Sequence, residues 1–322
     1  MASVKTMAFV RVAGNDEPVG ATELILEGHS GLRIRAMLAP APGQTARGTV
    51  LLCSGRTEFI EKYFEVTREL QGRGFTVFSF DWRGQGLSGR ELQDPQKGHF
   101  QSFEDPVKDL ALIVRQMGER LPQPHLLLAH SMGGAITLRA LQTRRLDVAG
   151  AVFSSPMWGI PSLTPPVKSF ASFATSLGAG GAFAPGFQHR WVRENFKRNN
   201  VTYDQERHAR AQGLIAADPR LALAGPTFGW VAAAAECMDG FNAPDALTHI
   251  RVPVLVLSAA HEALVDNAAH ARLARALPNC RHTVIENARH ELMMERPPVR
   301  AQFWQGFDAL AAQALAPNAV AG

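Results

Sequence analysis

The chain has 322 residues, of which 46% are hydrophobic, so it has ample material for a large buried core. Its formal net charge is +4 and its basic residues are dispersed, which argues against a nucleic-acid-binding arm. The three cysteines, Cys53, Cys237 and Cys280, lack metal-ligand spacing and favour a reducing compartment. Because no segment approaches the ~20 apolar residues of a membrane span and the first residues lack a signal-peptide core, we expect a cytoplasmic protein.

The first half of the chain predicts alternating strands and helices. About 19 loosely held residues precede a predicted hairpin of two half-buried strands at 21–27 and 32–38. Further apolar strands are predicted at 48–53, 74–80, 125–129 and 149–155, with helices between them at 60–73, 103–120 and 135–141. Short apolar strands separated by helices are typical of a doubly wound, mostly parallel α/β sheet with helices on both faces.

This alternation of predicted strands and helices stops after residue 155 and resumes at residue 249. The intervening segment has no buried-strand pattern and predicts helices at 166–177, 188–197, 204–217 and 229–241. We interpret residues 156–248 as a helical cap inserted into a core formed by residues 1–155 and 249–322. The core then continues with strands at 252–258 and 281–285, helices at 267–277 and 298–314, and a tail from residue 316 that is predicted to be disordered.

The stretch His130-Ser131-Met132-Gly133-Gly134 joins a predicted buried strand to a predicted helix. A serine at such a sharp turn exposes its hydroxyl above the sheet, beside the amide of Met132 at the helix N-terminus. Strand and helix pass closely there, which requires the small residues Ala129, Gly133 and Gly134, although the usual pattern has glycine in place of Ala129. A less specific alternative is an ordinary helix N-cap serine followed by glycines.

Two later loops contain partners for a nucleophilic serine. A serine hydroxyl is a weak nucleophile until a base removes its proton, and an acid must orient that base. The loop after strand 252–258 contains Glu262 and Asp266, and the loop after strand 281–285 contains His290. The order serine, acid, histidine is the order found on this architecture.

These motifs resemble those of the α/β-hydrolase group that contains monoacylglycerol lipases and bacterial lysophospholipases. The resemblance covers almost the whole chain. Besides the serine turn, the matching segments are Ser54-Gly55-Arg56-Thr57-Glu58 with Tyr63, Asp81-Trp82-Arg83-Gly84-Gln85-Gly86-Leu87-Ser88, residues 252–266, and Ala288-Arg289-His290-Glu291. The resemblance implies the α/β-hydrolase fold, with an eight-stranded type of sheet, and a serine hydrolase that needs no cofactor and no metal.

The resemblance also implies roles for individual residues. Ser131 is the nucleophile, His290 is the base, and the backbone N–H groups of Arg56 and Met132 form the oxyanion hole. The family usually has His-Gly where this chain has Ser54-Gly55, but the implied donors are backbone amides and survive the change.

The position that the family uses for the acid is occupied by Glu262. Most relatives have aspartate there, whereas bacterial lysophospholipase-like sequences share the glutamate. We therefore assign the acid to Glu262, with Asp266, four residues later, as the alternative.

The implied substrates are carboxylic esters, in particular lipid-like ones such as a monoacylglycerol or a lysophospholipid. Apolar cap residues are candidates for the walls of an acyl pocket: Trp158, Phe170, Phe173, Phe183, Phe187, Trp191, Phe228 and Trp230. Basic cap residues face either lipid phosphates or solvent: Arg190, Arg193, Lys197 and Arg198. The alternatives are an amide or peptide hydrolase of the same fold, or a non-catalytic ligand-binding homologue. We expect no nucleic-acid partner and only transient contact with a membrane surface; the sequence does not predict the oligomeric state.

Overall fold

The computed structural model describes residues 9–43 and 45–316, which form an eight-stranded sheet flanked by helices. The strands are β1 Thr22–Glu27, β2 Arg33–Ala39, β3 Thr49–Cys53, β4 Thr76–Phe80, β5 His125–His130, β6 Gly150–Ser154, β7 Val254–Ala259 and β8 Cys280–Ile285. Their order across the sheet is β1-β2-β4-β3-β5-β6-β7-β8. Strands β3 to β8 are parallel, and the hairpin β1–β2 joins β4 antiparallel. The predicted mostly parallel α/β sheet is confirmed.

Helices cover both faces of this sheet because both faces of each central strand are apolar. The helices of the core are α1 Phe64–Gly72, α2 Glu104–Met117, α3 Met132–Gln142, α7 Asn267–Ala276 and α8 Pro297–Ala314. In β5, Leu126 and Leu128 belong to one buried cluster with α1 and α8, whereas Leu127 and Ala129 belong to another with α2, α3 and α7. No helix in the described part of the chain is long and apolar enough to cross a membrane.

The N-terminal segment is anchored to the core where the structure describes it, so the prediction that residues 1–19 are loosely held is wrong for residues 9–19. Phe9 packs in a buried cluster with Met37, Ile60 and Phe64. Nearby, Val10 N–H donates to Glu61 Oε1 (3.0 Å) and Asn15 Nδ2 donates to the Glu61 carbonyl (2.9 Å). These long-range acceptors leave no local pattern in the sequence. Residues 1–8 and most of the predicted tail, 317–322, lie outside the described residues.

The segment 156–248 leaves the core after β6 and returns before β7, and it contains helices α4 Pro165–Ala174, α5 Gln205–Ala217 and α6 Phe228–Gly240. The predicted helix at 188–197 is wrong, since only a short 3-10 turn, Phe196–Arg198, forms there. Distant groups hold this backbone: Trp191 N–H donates to Gln96 Oε1 (2.7 Å), and the Gln188 carbonyl accepts from Gly225 N–H (2.9 Å). Such contacts replace the hydrogen bonds that a helix would form within the segment.

Candidate active site

Ser131 lies at the turn between β5 and α3 with φ 49° and ψ −119°, a conformation that is strained for a serine. Its N–H donates to the Ser154 carbonyl (3.2 Å), and its carbonyl accepts from Met157 N–H (2.9 Å). The turn is tight, because a Cβ at Gly133 would lie 2.5 Å from the Ser54 carbonyl oxygen. The Ser131 hydroxyl makes no capping hydrogen bond to α3, so an N-cap role does not account for this serine.

The structure brings Ser131, His290 and Glu262 together at the carboxyl edge of the parallel strands. The distance from Ser131 Oγ to His290 Nε2 is 3.0 Å, and that from His290 Nδ1 to Glu262 Oε2 is 2.8 Å. Glu262 follows β7 and His290 follows β8, so the loops after neighbouring strands bring both side chains to the serine. His290 is buried, which protects its two hydrogen bonds from competition with water.

The Glu262 carboxylate is held as an anion. Its second oxygen, Oε1, accepts hydrogen bonds from the backbone N–H groups of Ala263 (2.9 Å), Leu264 (2.8 Å) and Val265 (3.3 Å). Burial raises the pKa of Glu262, but the hydrogen bond and charge of His290 and the backbone N–H groups outweigh it and lower the pKa to about 2. An ionised Glu262 favours a proton on His290 Nδ1, which leaves Nε2 free to accept the Ser131 proton.

Asp266, the alternative acid, has a different position. It is the N-cap of α7, where its Oδ1 accepts from Ala268 N–H (2.8 Å), and its own N–H donates to the Gly159 carbonyl (2.9 Å). In the described structure its carboxylate makes no hydrogen bond to His290. The geometry therefore favours Glu262 over Asp266 as the partner of the imidazole.

Two further histidines lie near the site without contacting Ser131 Oγ. His130 Nδ1 is 2.9 Å from the Ser154 carbonyl, and its ring centre is 4.7 Å from that of His290. Burial lowers the pKa of His130, which favours its neutral form beside His290. His261 Nδ1 is 2.9 Å from the Tyr203 hydroxyl. His130 thus packs against His290, and His261 contacts Tyr203.

The predicted oxyanion donors lie on two segments that are in contact. Met132 is the first residue of α3. The N–H groups of the first turn of a helix have no acceptor within that helix, so the Met132 N–H needs a partner from outside it. Arg56 follows Gly55 in the loop after β3, and a Cβ at Gly55 would lie 3.1 Å from Ser131 Cβ. The Arg56 N–H donates to no acceptor in the described residues. Neither amide therefore has an acceptor among the described residues, as an oxyanion donor requires.

Gln85 holds the loop that carries Arg56, although the sequence analysis assigned it no role. Its Nε2 donates to the carbonyls of Gly55 (2.7 Å) and Glu58 (3.1 Å), and its Oε1 accepts from Thr57 N–H (3.2 Å). Thr57 has φ 65°, which is uncommon for a β-branched residue and needs such support. The only sequence signal for Gln85 is its place in the glycine-rich segment 81–89.

A buried ion-pair network links the loop after β3 to the loop after β8. Lys62 Nζ lies 2.7 Å from Glu58 Oε1 and 2.6 Å from Glu291 Oε1, and the Tyr63 hydroxyl donates to Glu58 Oε2 (2.7 Å). Burial raises the pKa of Glu58, but Lys62, His130 and Tyr63 outweigh it and lower the pKa to about 2. Glu58 and Glu291 therefore hold the two loops together through Lys62, whose single positive charge is shared between the two carboxylates.

A cavity of about 720 Å³ opens at Ser131 and His290. Its walls are mostly apolar side chains of the segment 156–248, including Leu163, Val167, Phe170, Phe187, Phe228 and Trp230. Four of the predicted aromatic residues thus line it, whereas Trp158 is buried in the core and Phe173 is exposed outside it. Arg56 ties this wall to the core, because its Nη2 donates to the Ala224 carbonyl (2.8 Å) and its guanidinium lies over Trp230.

Comparison with known proteins identifies the family of this chain. Residues 44–297 match the α/β-hydrolase family described as serine aminopeptidase, S33. Lysophospholipase L2 of Escherichia coli K12 is 35% identical over 266 residues, which cover 78% of this chain and 76% of that protein. The chain belongs to the serine aminopeptidase, S33, family. A second relative is a probable lysophospholipase L2 of Haemophilus influenzae. It is 32% identical over 263 residues, which cover 80% of this chain and 82% of that protein.

A solved structure supports the fold of this α/β-hydrolase. A soluble variant of monoglyceride lipase from Saccharomyces cerevisiae, in complex with a substrate analog, superposes with a TM-score of 0.70 at 18% identity. The match covers 91% of this chain and 97% of that one. The predicted resemblance to α/β-hydrolases of the lysophospholipase and monoacylglycerol lipase type is confirmed, as is the assignment to the carboxylic ester hydrolases.

Proposed function

We propose that this α/β-hydrolase is a serine hydrolase that cleaves the acyl ester of a single-chain lipid, a monoacylglycerol or a lysophospholipid, through an acyl-enzyme. The observation that carries the proposal is the hydrogen-bonded series Ser131–His290–Glu262 at the mouth of an apolar cavity. The relatives named as lysophospholipases and as monoglyceride lipase support the lipid substrate.

In the first half of the reaction, Ser131 Oγ attacks the acyl carbonyl carbon while His290 Nε2 takes the hydroxyl proton. The carbonyl oxygen becomes an oxyanion, which accepts hydrogen bonds from the N–H groups of Arg56 and Met132. The ester C–O bond then breaks, and His290 gives its proton to the leaving alcohol. Glu262 keeps the imidazole oriented and stabilises its positive charge.

In the second half, His290 removes a proton from water, and the resulting hydroxide attacks the acyl-enzyme. The bond to Ser131 Oγ breaks, the serine regains its proton from His290, and a fatty acid leaves. All steps use side chains and amides of the chain itself, so no cofactor enters.

We propose the segment 156–248 as a cap that selects the acyl chain. Its apolar side chains exclude water from the ester and bury methylene groups, each worth about 0.8 kcal/mol. The same segment carries most of the exposed large hydrophobic residues in the described structure: Val167, Phe170, Phe173, Leu177, Phe187 and Val192. An exposed apolar patch beside the cavity supports transient contact with a membrane surface, from which a lipid would enter.

The family description raises a second candidate, hydrolysis of an amide with a free amino group. Such a substrate would need an uncommitted carboxylate near the nucleophile to bind its ammonium group. Among the described residues, the cavity wall contains two carboxylates, Glu58 and Glu291, and Lys62 binds both. The site therefore supports an ester substrate better than an aminopeptidase substrate.

A substrate panel tests the proposal. Purified protein is offered p-nitrophenyl esters, monoacylglycerols, lysophospholipids and aminoacyl amides, with Ser131→Ala as the blank. We expect hydrolysis of the single-chain lipid esters that is lost in Ser131→Ala. Turnover of aminoacyl amides without turnover of the lipid esters would contradict the proposal.

A further inference from the structure

A second cavity, of about 550 Å³, adjoins the apolar one. Thr57, Val201 and Glu291 line both cavities, so the two share a wall. The second cavity lies between the loop after β3 and the irregular part of the cap, residues 188–198. Its size is ample for a small polar group, and its lining is rich in charged side chains, in contrast to the apolar cavity.

The wall of the second cavity contains three basic side chains, Lys62, Arg193 and Arg198, and two acidic ones, Glu194 and Glu291. Glu291 is bound to Lys62, and Glu194 Oε2 is 3.1 Å from His208 Nε2. Arg193 and Arg198 also line the cavity, and neither side chain has an acidic partner in the described part of the chain. The cavity therefore presents two uncommitted guanidinium groups.

The shared wall adjoins the residues that handle the leaving group. His290 returns its proton to the leaving alcohol, so that alcohol has to be on the histidine side of Ser131. Glu291, the residue after His290, belongs to the shared wall, as does Thr57 beside Arg56. A substrate with its acyl chain in the apolar cavity would thus place its head group at the entrance to the charged one.

We propose that the second cavity binds the phosphate of a lysophospholipid head group, with Arg193 and Arg198 as its ligands. Guanidinium groups match phosphate oxygens in geometry and charge, and each forms charge-assisted hydrogen bonds. A monoacylglycerol has no charge for these groups to bind. This inference rests on the proposed function and sharpens it, because it selects the phosphorylated head group over the neutral one.

The test compares two substrates with the same short acyl chain, used below the concentration at which they form micelles: a lysophosphatidylcholine and a monoacylglycerol. The double variant Arg193→Ala/Arg198→Ala should lower the ratio of their kcat/KM values about tenfold, which is about 1.4 kcal/mol. The lysine double variant should restore part of this ratio, because it keeps the charge but loses the planar fork. The control is Arg190→Ala, whose side chain binds Asp94 (2.8 Å) and lines neither cavity; it should leave the ratio unchanged.

Competition distinguishes a head-group site from a site for any anion. Glycerophosphocholine should inhibit the wild type at lower concentration than inorganic phosphate, and the alanine double variant should need more of it. Stronger inhibition by inorganic phosphate would overturn the head-group assignment. An unchanged ratio, an equal fall for both substrates, or an effect seen only on micelles or vesicles would overturn the site itself. Ser131→Ala, measured on both substrates, reports separately on the proposed function.

Discussion

The sheet-edge loops and the cap hold their residues in different ways. Around Ser131, buried side chains and backbone groups are locked by short hydrogen bonds and by the ion pairs of Lys62. In the cap, mostly apolar side chains line the cavity at Ser131, several large apolar side chains are exposed, and the backbone at 188–195 forms no helix or strand. We therefore propose that residues of the core carry out the reaction and that the cap selects the substrate.

The largest effect should come from the base. His290→Ala should lower kcat on a p-nitrophenyl ester by about 10⁶, because the serine then has no proton acceptor. His130→Asn is the matched control, since His130 is also buried and packs against His290 but binds the Ser154 carbonyl instead of Ser131 Oγ. Stopped or discontinuous assays measure kcat, and circular dichroism checks folding. A comparable loss in both variants would contradict the assignment.

The next effect should separate Glu262 from Asp266. Glu262→Gln should lower kcat by about 10⁴, as the corresponding amide change does in serine proteases, because it disturbs the imidazole tautomer. Asp266→Asn should have little effect, since asparagine is also a good N-cap for α7. Glu262→Asp should fall between the two, because the shorter side chain draws the carboxylate away from His290. Steady-state kinetics rank the three variants, and the reverse order for Glu262→Gln and Asp266→Asn would transfer the role to Asp266.

Two glutamines of the core allow a comparison, because Gln85 holds a core loop and Gln96 holds the cap backbone at Trp191. Gln85→Ala should lower kcat about 10- to 100-fold with a smaller change in KM, because it frees the loop that positions the Arg56 amide. Gln96→Ala removes the acceptor for Trp191 N–H and should act mainly on KM. Kinetics on one ester, with thermal unfolding as a check on stability, separate the two patterns. An equal fall of kcat in both variants would show that neither glutamine acts on a specific kinetic step and that both only stabilise the fold.

The smallest effects should come from the walls of the apolar cavity. In the wild type, each added methylene should improve kcat/KM about fourfold until the cavity is full, as expected for about 0.8 kcal/mol per methylene. Phe228→Ala should move the chain length at which this gain stops. Phe173→Ala, an exposed residue of the same cap that does not line the cavity, is the control. An unchanged optimum in Phe228→Ala would place the acyl chain elsewhere.

Sequence patterns predicted the site residues that directly follow predicted strands. Ser131 and His290 occupy loops at the carboxyl ends of parallel strands, and a regular sheet brings those ends together. Glu262 and Asp266 share one loop, so the order of residues alone does not choose between them; the resemblance does, and the hydrogen bond to His290 agrees. Gln85 was missed because its partners, Gly55 and Glu58, lie about 30 residues earlier.

The errors in the prediction have the same physical origin. The helix predicted at 188–197 does not form because Gln96 and Gly225, distant in sequence, hold that backbone. The N-terminal segment is anchored at Val10 and Asn15 because Glu61, 46 or more residues away, offers them acceptors. Local propensity does not depend on contacts between residues distant in sequence, so the sequence pattern alone could not predict the conformation of the cap and of the N-terminal segment.

The central claim is that Ser131 is the nucleophile, and covalent labelling tests it most directly. A fluorophosphonate probe is incubated with wild type and with Ser131→Ala, and the modified peptide is identified by mass spectrometry. We predict one adduct on the wild type, on the peptide containing Ser131, and no adduct on the variant. Labelling that persists in Ser131→Ala, or an adduct on a different serine of the wild type, would contradict the account.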